Sequence, residues 1–465
     1  MERRTFKNLI IGFGKAGKTL AKSLANKGES VAIVEQSTRM YGGTCINIGC
    51  IPSKSLIVNG QKGEAFTEAV LQKFSLVEKL NKKNYHMIAD EQNATVIDGK
   101  ARFLSDHEVE ISEEGKPIML VQAERIFINT GARAILPSIL GMSESKNLVT
   151  STGLMDLQEK PEQLLIVGSG YIGLEFAAMF LSYGSKVTII DSHDIFLPRQ
   201  DRDVAQRVKQ DLEDAGAVFK LGYEINGVFD RDEASILNIT KDGQAEEVQG
   251  NKILLATGRK PNTSGLGLEN TSIKVGEAGH ILVNEKLETS APNIWALGDV
   301  HGGPQFTYTS LDDFRIIESQ LYGDKSRTLS NRGELASSVF ITPTLSNIGL
   351  TETIAQAQGT KYRLFRLEAT SIPKSAVLGQ SKGLLKALVD PETQEILGAT
   401  LYAEESHEVI NILSLAMKAK IPYTMLRDHI YTHPTMSEAL NDLFAPANEV
   451  KLLEKSPCLR VFLLT

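Results

Sequence analysis

The chain is short of cysteine, of concentrated positive charge and of long apolar runs, and each shortage excludes a class of function. Cysteine occurs three times in 465 residues. With no export signal, that usage predicts a reducing cytoplasmic setting, where a disulfide is more often catalytic than structural. No second cysteine cluster accompanies the first pair, so the four ligands of a structural zinc site are missing. No basic block stands out and the formal charge is −7, which argues against a nucleic-acid surface. No apolar run has bilayer length. Arg3, Arg4 and Lys7 precede LIIGFG, but that run has no small-residue cleavage site and no signal peptide is expected. What remains is an ordinary globular composition, 42% hydrophobic and 23% charged, at a length that suggests about three domains.

The stretch that concentrates chemistry is GGTCINIGCIPSK, Gly42 to Lys54. On an unbroken helix Cys45 and Cys50 would be about 7.5 Å apart along the axis and would point apart. A bridge between them needs a broken turn, and Gly49, with Gly42 and Gly43 upstream, gives the backbone that freedom. Pro52 fits the first turn of a following helix. A thiol at a helix start with Lys54 one turn on favours thiolate, through the helix dipole and the neighbouring cation. A structural disulfide or two buried thiols are the plainer alternatives; the flanking glycines and the lysine weigh toward redox chemistry.

Two glycine-rich turns each join a short apolar strand to a helix. Gly12, Gly14 and Gly17 follow NLII, and the next strand, VAIVE, ends in Glu35. Gly168, Gly170 and Gly173 follow LLIV, and VTIID ends in Asp191. The glycines let a pyrophosphate approach a helix N-terminus, and the acidic residue accepts from a ribose hydroxyl. Asp191, with no arginine pair after it, predicts a preference for NADH over NADPH. His193 weakens that reading slightly. Other expected elements are a helix over 65–80, strands over 95–103, 108–111, 118–121 and 125–131, and helices over 408–420 and 423–427 around strands in a C-terminal αβ region.

These motifs together resemble the flavin-dependent pyridine nucleotide-disulfide oxidoreductases, the family of dihydrolipoamide dehydrogenase, glutathione reductase and mercuric reductase, over roughly residues 5 to 444. The resemblance implies an α/β fold with two Rossmann-like domains, for FAD and NAD(P), and a C-terminal α+β dimerisation domain. The implied bounds are 1–150 and 265–330 for FAD, 151–264 for NAD(P), 331–444 for dimerisation and 445–465 for a tail containing Cys458. It implies that Gly12, Gly14, Gly17, Glu35, Gly43, Thr44, Lys54, Gly131 and Asp299 face FAD. Gly168, Gly170, Tyr171, Gly173, Asp191 and Gly258 would then face the nicotinamide nucleotide.

It further implies a redox disulfide between Cys45 and Cys50, an ion pair of Lys54 with Glu175 beside the flavin, and a tyrosine, Tyr171, that covers it. YTHPTMSEAL supplies His433 as acid and base and Glu438 to orient it, acting across a homodimer. His301 has no assigned role. No resident metal is expected, only transient metal binding at Cys45 and Cys50. INIGCIPSKSLI and YTHPTMSEALNDLF resemble most closely a bacterial reactive-chlorine-resistance subgroup for which copper(II) reduction has been proposed. A dihydrolipoamide dehydrogenase ranks second. An NADH oxidase or thiol redox sensor is the reading from another class, and HPTMSE counts against it.

Overall fold

The computed structural model describes residues 1–450. The expectation about Cys458 lies outside the described residues. Compactness divides the chain into 1–190 with 224–332, and 191–223 with 333 onward.

In the first unit the strands are β1 (Glu2–Ile11), β2 (Val31–Glu35), β3 (Ala94–Asp98), β4 (Lys100–Phe103), β5 (Glu108–Glu113) and β6 (Lys116–Ile128), in the order β3-β2-β1-β6-β5-β4. β2 is buried at every position. A strand apolar on both faces is stable only in a parallel sheet covered on both sides. One face packs Leu9, Val34, Phe103 and Ile128, the other Ile10, Ile33, Phe127 and Ile316. The expected strand over 95–103 is two strands, because Gly99 takes φ +151°, closed to ordinary side chains. The strands expected over 118–121 and 125–131 are one: polar Gln122 and Glu124 break the apolar run but are exposed, so β6 continues past them and ends at Ile128.

Ile294–Ala296 returns about 165 residues later to lie parallel to β6, its Trp295 ring stacked on Phe127 at 5.0 Å. Burial of this apolar strand against β6 closes a long loop whose entropy cost grows only slowly with length. A second parallel sheet pairs Gln163–Val167 with both Lys186–Asp191 and Lys252–Leu255. The helices that serve the site are α1 (Lys15–Asn26), α2 (Gly43–Asn47), α3 (Cys50–Gln61) and α4 (Phe66–Ala89). α4 outruns the expected 65–80 because, beyond the clear apolar spacing, Asn84 and Ile88 are still buried against its neighbours.

The second unit contains a six-stranded antiparallel sheet whose last strand is Glu449–Val450. The segment expected to be a tail therefore begins inside the sheet: Arg363 grips Glu449 with two bonds of 2.7 Å. The helix expected over 408–420 runs Ser406–Lys418, and Tyr423–Arg427 follows as expected. Lys386, 2% exposed, sits on this sheet and reaches Asp201 at 2.8 Å and Glu352 at 2.9 Å. The whole is an α/β protein with two Rossmann-like sheets and a C-terminal α+β domain. No helix among the described residues is long and apolar enough to cross a membrane.

Candidate functional site

α2 and α3 are separate helices, broken at Ile48–Gly49, where Gly49 has φ −129° and ψ −115°. A Cβ on Gly49 would lie 2.9 Å from the Thr44 carbonyl oxygen, so the close approach of the two helices needs glycine here. The break brings Cys45 and Cys50 within hydrogen-bonding reach as free thiols. Pro52 occupies the first turn of α3.

A thiol–thiolate bond couples Cys45 to Cys50. Receiving that bond, with lesser help from the Thr307 hydroxyl and the Lys54 ammonium, outweighs burial and pulls Cys50 down to about 6. Giving it, together with burial, drives Cys45 strongly up. The surroundings therefore favour thiolate at Cys50 over Cys45. Thr307 Oγ1 stands 3.6 Å from the Cys50 sulfur, a contact no local motif announces. Lys54 Nζ meets Glu175 Oε2 at 2.6 Å, from the helix Tyr171–Ser182. Tyr171 begins that helix and is 38% exposed.

The first glycine turn packs against β6. A Cβ on Gly12 would lie 2.4 Å from the Asn129 carbonyl oxygen, and one on Gly43 would lie 2.7 Å from the Gly14 Cα, so the cysteine segment is seated directly on the start of α1. Thr44 opens α2 beside it. Glu35 is buried and accepts from Phe13 N at 3.1 Å and Ser37 N at 3.2 Å; burial pushes its pKa up. Just past it a cleft of about 730 Å³ is lined by Gln36, Ser37, Asp98, Gly99 and Lys100 among others. Gly131 is left-handed at φ +71° with open space around it. Asp299 lies in the turn Gly298–His301; burial raises its pKa against the opposing Arg259 charge. Arg259, which also feels Cys50, is a charge near the site that the sequence reading passed over. His301 is not free: it meets the fully buried Asp313 at 3.1 Å.

In the second turn Gly168, at φ +107°, packs on the Ala256 carbonyl, and Gly173 packs on Gly168. Gly170 faces open space, which leaves room for a ligand's backbone approach. Gly258 is also left-handed, at φ +108°. Asp191 ends its strand, and its carboxylate takes the His193 amide at 2.9 Å and faces that ring at 2.8 Å. In the second unit His433 Nδ1 lies 2.8 Å from Glu438 Oε2, whose other oxygen accepts the Thr435 amide at 3.1 Å. Although partial burial opposes it, the His433 bond holds Glu438 below the ordinary carboxylate range. No group of three or more metal-ligating side chains occurs among the described residues.

The residues present fit FAD: a strand–glycine-turn–helix, an acidic strand end, a cleft just past it and an aspartate turn brought in from far along the chain.

Comparison with known proteins agrees. Residues 6–313 match the pyridine nucleotide-disulphide oxidoreductase family and 335–444 its dimerisation domain. The chain is 45% identical, over 95% of its length and 99% of the relative, to the probable pyridine nucleotide-disulfide oxidoreductase RclA of Escherichia coli. It is 31% identical to a mercuric reductase of Staphylococcus aureus, over 93% of this chain and 80% of that one. The solved Cu(II) complex of HOCl-induced flavoprotein disulfide reductase RclA from Escherichia coli superposes with a TM-score of 0.92 at 44% identity, covering 95% of this chain and 99% of that one. A glycine turn built for a dinucleotide, two unequal thiols over a helix break and a matching dimerisation domain thus converge, and the chain belongs to the pyridine nucleotide-disulphide oxidoreductase family.

Proposed function

We propose that this protein carries electrons from NADH to the Cys45–Cys50 pair and from there to a thiophilic metal ion, Cu(II) first, in defence against reactive chlorine species. The observation that carries the reading is the pair of free thiols set on either side of the α2–α3 break, with the Thr307 hydroxyl against Cys50 and, on the same helix as Cys50, Lys54 paired with Glu175. FAD bound along the first glycine turn and Asp299 would supply the two-electron relay between nicotinamide and disulfide.

The chain's residues divide the rest. Asp191 accepts from the adenosine ribose of NADH and repels a 2′-phosphate. Tyr171, exposed at the start of its helix, would cover the flavin site until nicotinamide displaces it. Cys50 holds thiolate charge at neutral pH, stabilised by Cys45, Thr307 and Lys54. Cys45 is the thiol that meets the acceptor. Its proton passes to His433 of the partner subunit, whose Nδ1 is held by Glu438 so that Nε2 is turned outward. The homodimer this requires is supported by Ile430, 92% exposed three residues before His433, an apolar side chain that a second subunit would cover. The balance is NADH, a proton and the disulfide giving NAD⁺ and two thiols. The thiols and two Cu(II) then give the disulfide, two Cu(I) and two protons. Thiolate sulfur suits this step because Cu(I) is the soft product. The mercuric reductase relative and the Cu(II) complex of the E. coli relative support a metal acceptor.

The deciding experiment is anaerobic NADH oxidation with Cu(II), Hg(II), lipoamide and glutathione disulfide, with Cys45→Ser alongside. Turnover with metal ions that disappears in Cys45→Ser is the expected result. Fast Cys45-dependent turnover with lipoamide would replace this reading by a dihydrolipoamide dehydrogenase.

A further inference from the structure

Asn129 lies at the end of β6, 5% exposed, and belongs to neither glycine motif. Its side-chain oxygen accepts the amide of Gly17 at 3.0 Å, and its side-chain nitrogen donates to the carbonyl of Leu297 at 2.7 Å. One amide group thus joins the first turn of α1 to the turn that carries Asp299, two segments 280 residues apart. The glycines of both motifs are shaped around it. A Cβ on Gly14 would lie 2.3 Å from its oxygen, and one on Gly298 2.9 Å from its nitrogen. Ser310, 7% exposed, works beside it: its hydroxyl accepts the amide of Ala16 at 3.2 Å.

With the amides of Ala16 and Gly17 satisfied inside the protein and Phe13 N committed to Glu35, those of Gly14 and Lys15 have no protein acceptor among the described residues. Those are the helix-start donors left for an anion.

We propose that Asn129 is a positioning residue of the dinucleotide site: its amide locks the α1 turn to the Asp299 turn and thereby restricts the diphosphate seat to the amides of Gly14 and Lys15. This rests on the FAD reading above. An asparagine is required because the position must accept on one side and donate on the other. Alanine would abandon a buried amide and a buried carbonyl together. Aspartate would accept from Gly17 but, ionised, could not donate to Leu297; protonated, it regains the donor.

The test is loss of bound FAD, followed by flavin fluorescence, for wild type, Asn129→Ala and Asn129→Asp. Wild type must first show stoichiometric flavin absorbance; a flavin-free protein would remove the FAD reading itself. Asn129→Ala is expected to release FAD about 10-fold faster or more, as loss of two buried hydrogen bonds implies. Asn129→Asp is expected to release it quickly at pH 8 and to approach wild type near pH 5, because burial against the Leu297 carbonyl raises the carboxyl's pKa and favours its protonated form there. The charged and ionisable groups around the same turns, Lys15, Lys18, Glu35, Arg259, Asp299, His301, Asp313 and Arg332, are common to both proteins, so the wild-type profile serves as the baseline. Asn129→Asp supplies a folded comparison should Asn129→Ala fold poorly. Wild-type retention in Asn129→Ala, or a release rate in Asn129→Asp that is equally fast at both pH values, would overturn the assignment. A purely structural role predicts that second result.

Discussion

At the scale of single residues, the chemistry turns on the depressed pKa of Cys50. A group whose pKa is lowered to about 6 is thiolate above that value and loses its charge as the pH falls through it. Alkylation of the reduced protein by iodoacetamide should therefore remain fast at pH 7 and fall off near pH 6. Lys54→Met removes the ammonium and leaves Glu175, whose charge disfavours the thiolate, so the alkylation midpoint should rise by about one pH unit. No change in midpoint would show that Cys45 and Thr307 set the thiolate without Lys54. The cysteine pair and Lys54 were legible in the sequence because their spacing is local. Thr307, Arg259 and Asn129 were not: each acts through a partner more than a hundred residues away.

At the scale of elements, the site depends on two helices held close across a break and on a sheet held by buried charge. Gly49→Ala places a methyl against the Thr44 carbonyl. It should push α3 away from α2 and slow closure of the Cys45–Cys50 bridge several-fold, read as the rate of thiol loss under a mild oxidant; an unchanged rate would mean the turn tolerates a Cβ. In the second unit Lys386→Met would leave Asp201 buried without its cation and should cost about 3–5 kcal/mol, measured as a lowered denaturation midpoint of the holoprotein. Asp201 is itself informative. Burial opposes its charge, but Lys386 and Thr353 hold its pKa below the ordinary value. Its contribution is therefore present above the unfolded-state pKa and lost as pH falls through the folded one, and Lys386→Met should flatten that acid limb. The existence of most helices and strands could be read from apolar spacing. The length of β6 and of α4 could not, because polar residues interrupt the pattern at positions that only the neighbouring elements show to be exposed or buried.

At the scale of the whole molecule, the proposed site needs two chains. Cys45→Ser and His433→Ala homodimers should each be inactive. When the two are unfolded and reassembled together, half of the dimers are hybrids, and each hybrid has one intact site, so about a quarter of the wild-type activity should return. No recovery in demonstrably mixed dimers would place cysteines and histidine in the same subunit's site.

What the sequence by itself determined is whatever depends on near neighbours along the chain. That covers the two strand–glycine–helix turns, the cysteine pair with its breaking glycine and its lysine, and the His433–Glu438 spacing. Each of these is set by backbone freedom or side-chain reach over a few residues. The sequence already pointed to the thiol at the helix start before Lys54; only the tertiary structure added the Thr307 hydroxyl, brought to Cys50 from another helix. It alone decided that one asparagine ties the α1 turn to the Asp299 turn. Long-range pairing of polar groups obeys satisfaction of buried donors and acceptors rather than any periodicity, and it becomes visible only when the chain has closed on itself.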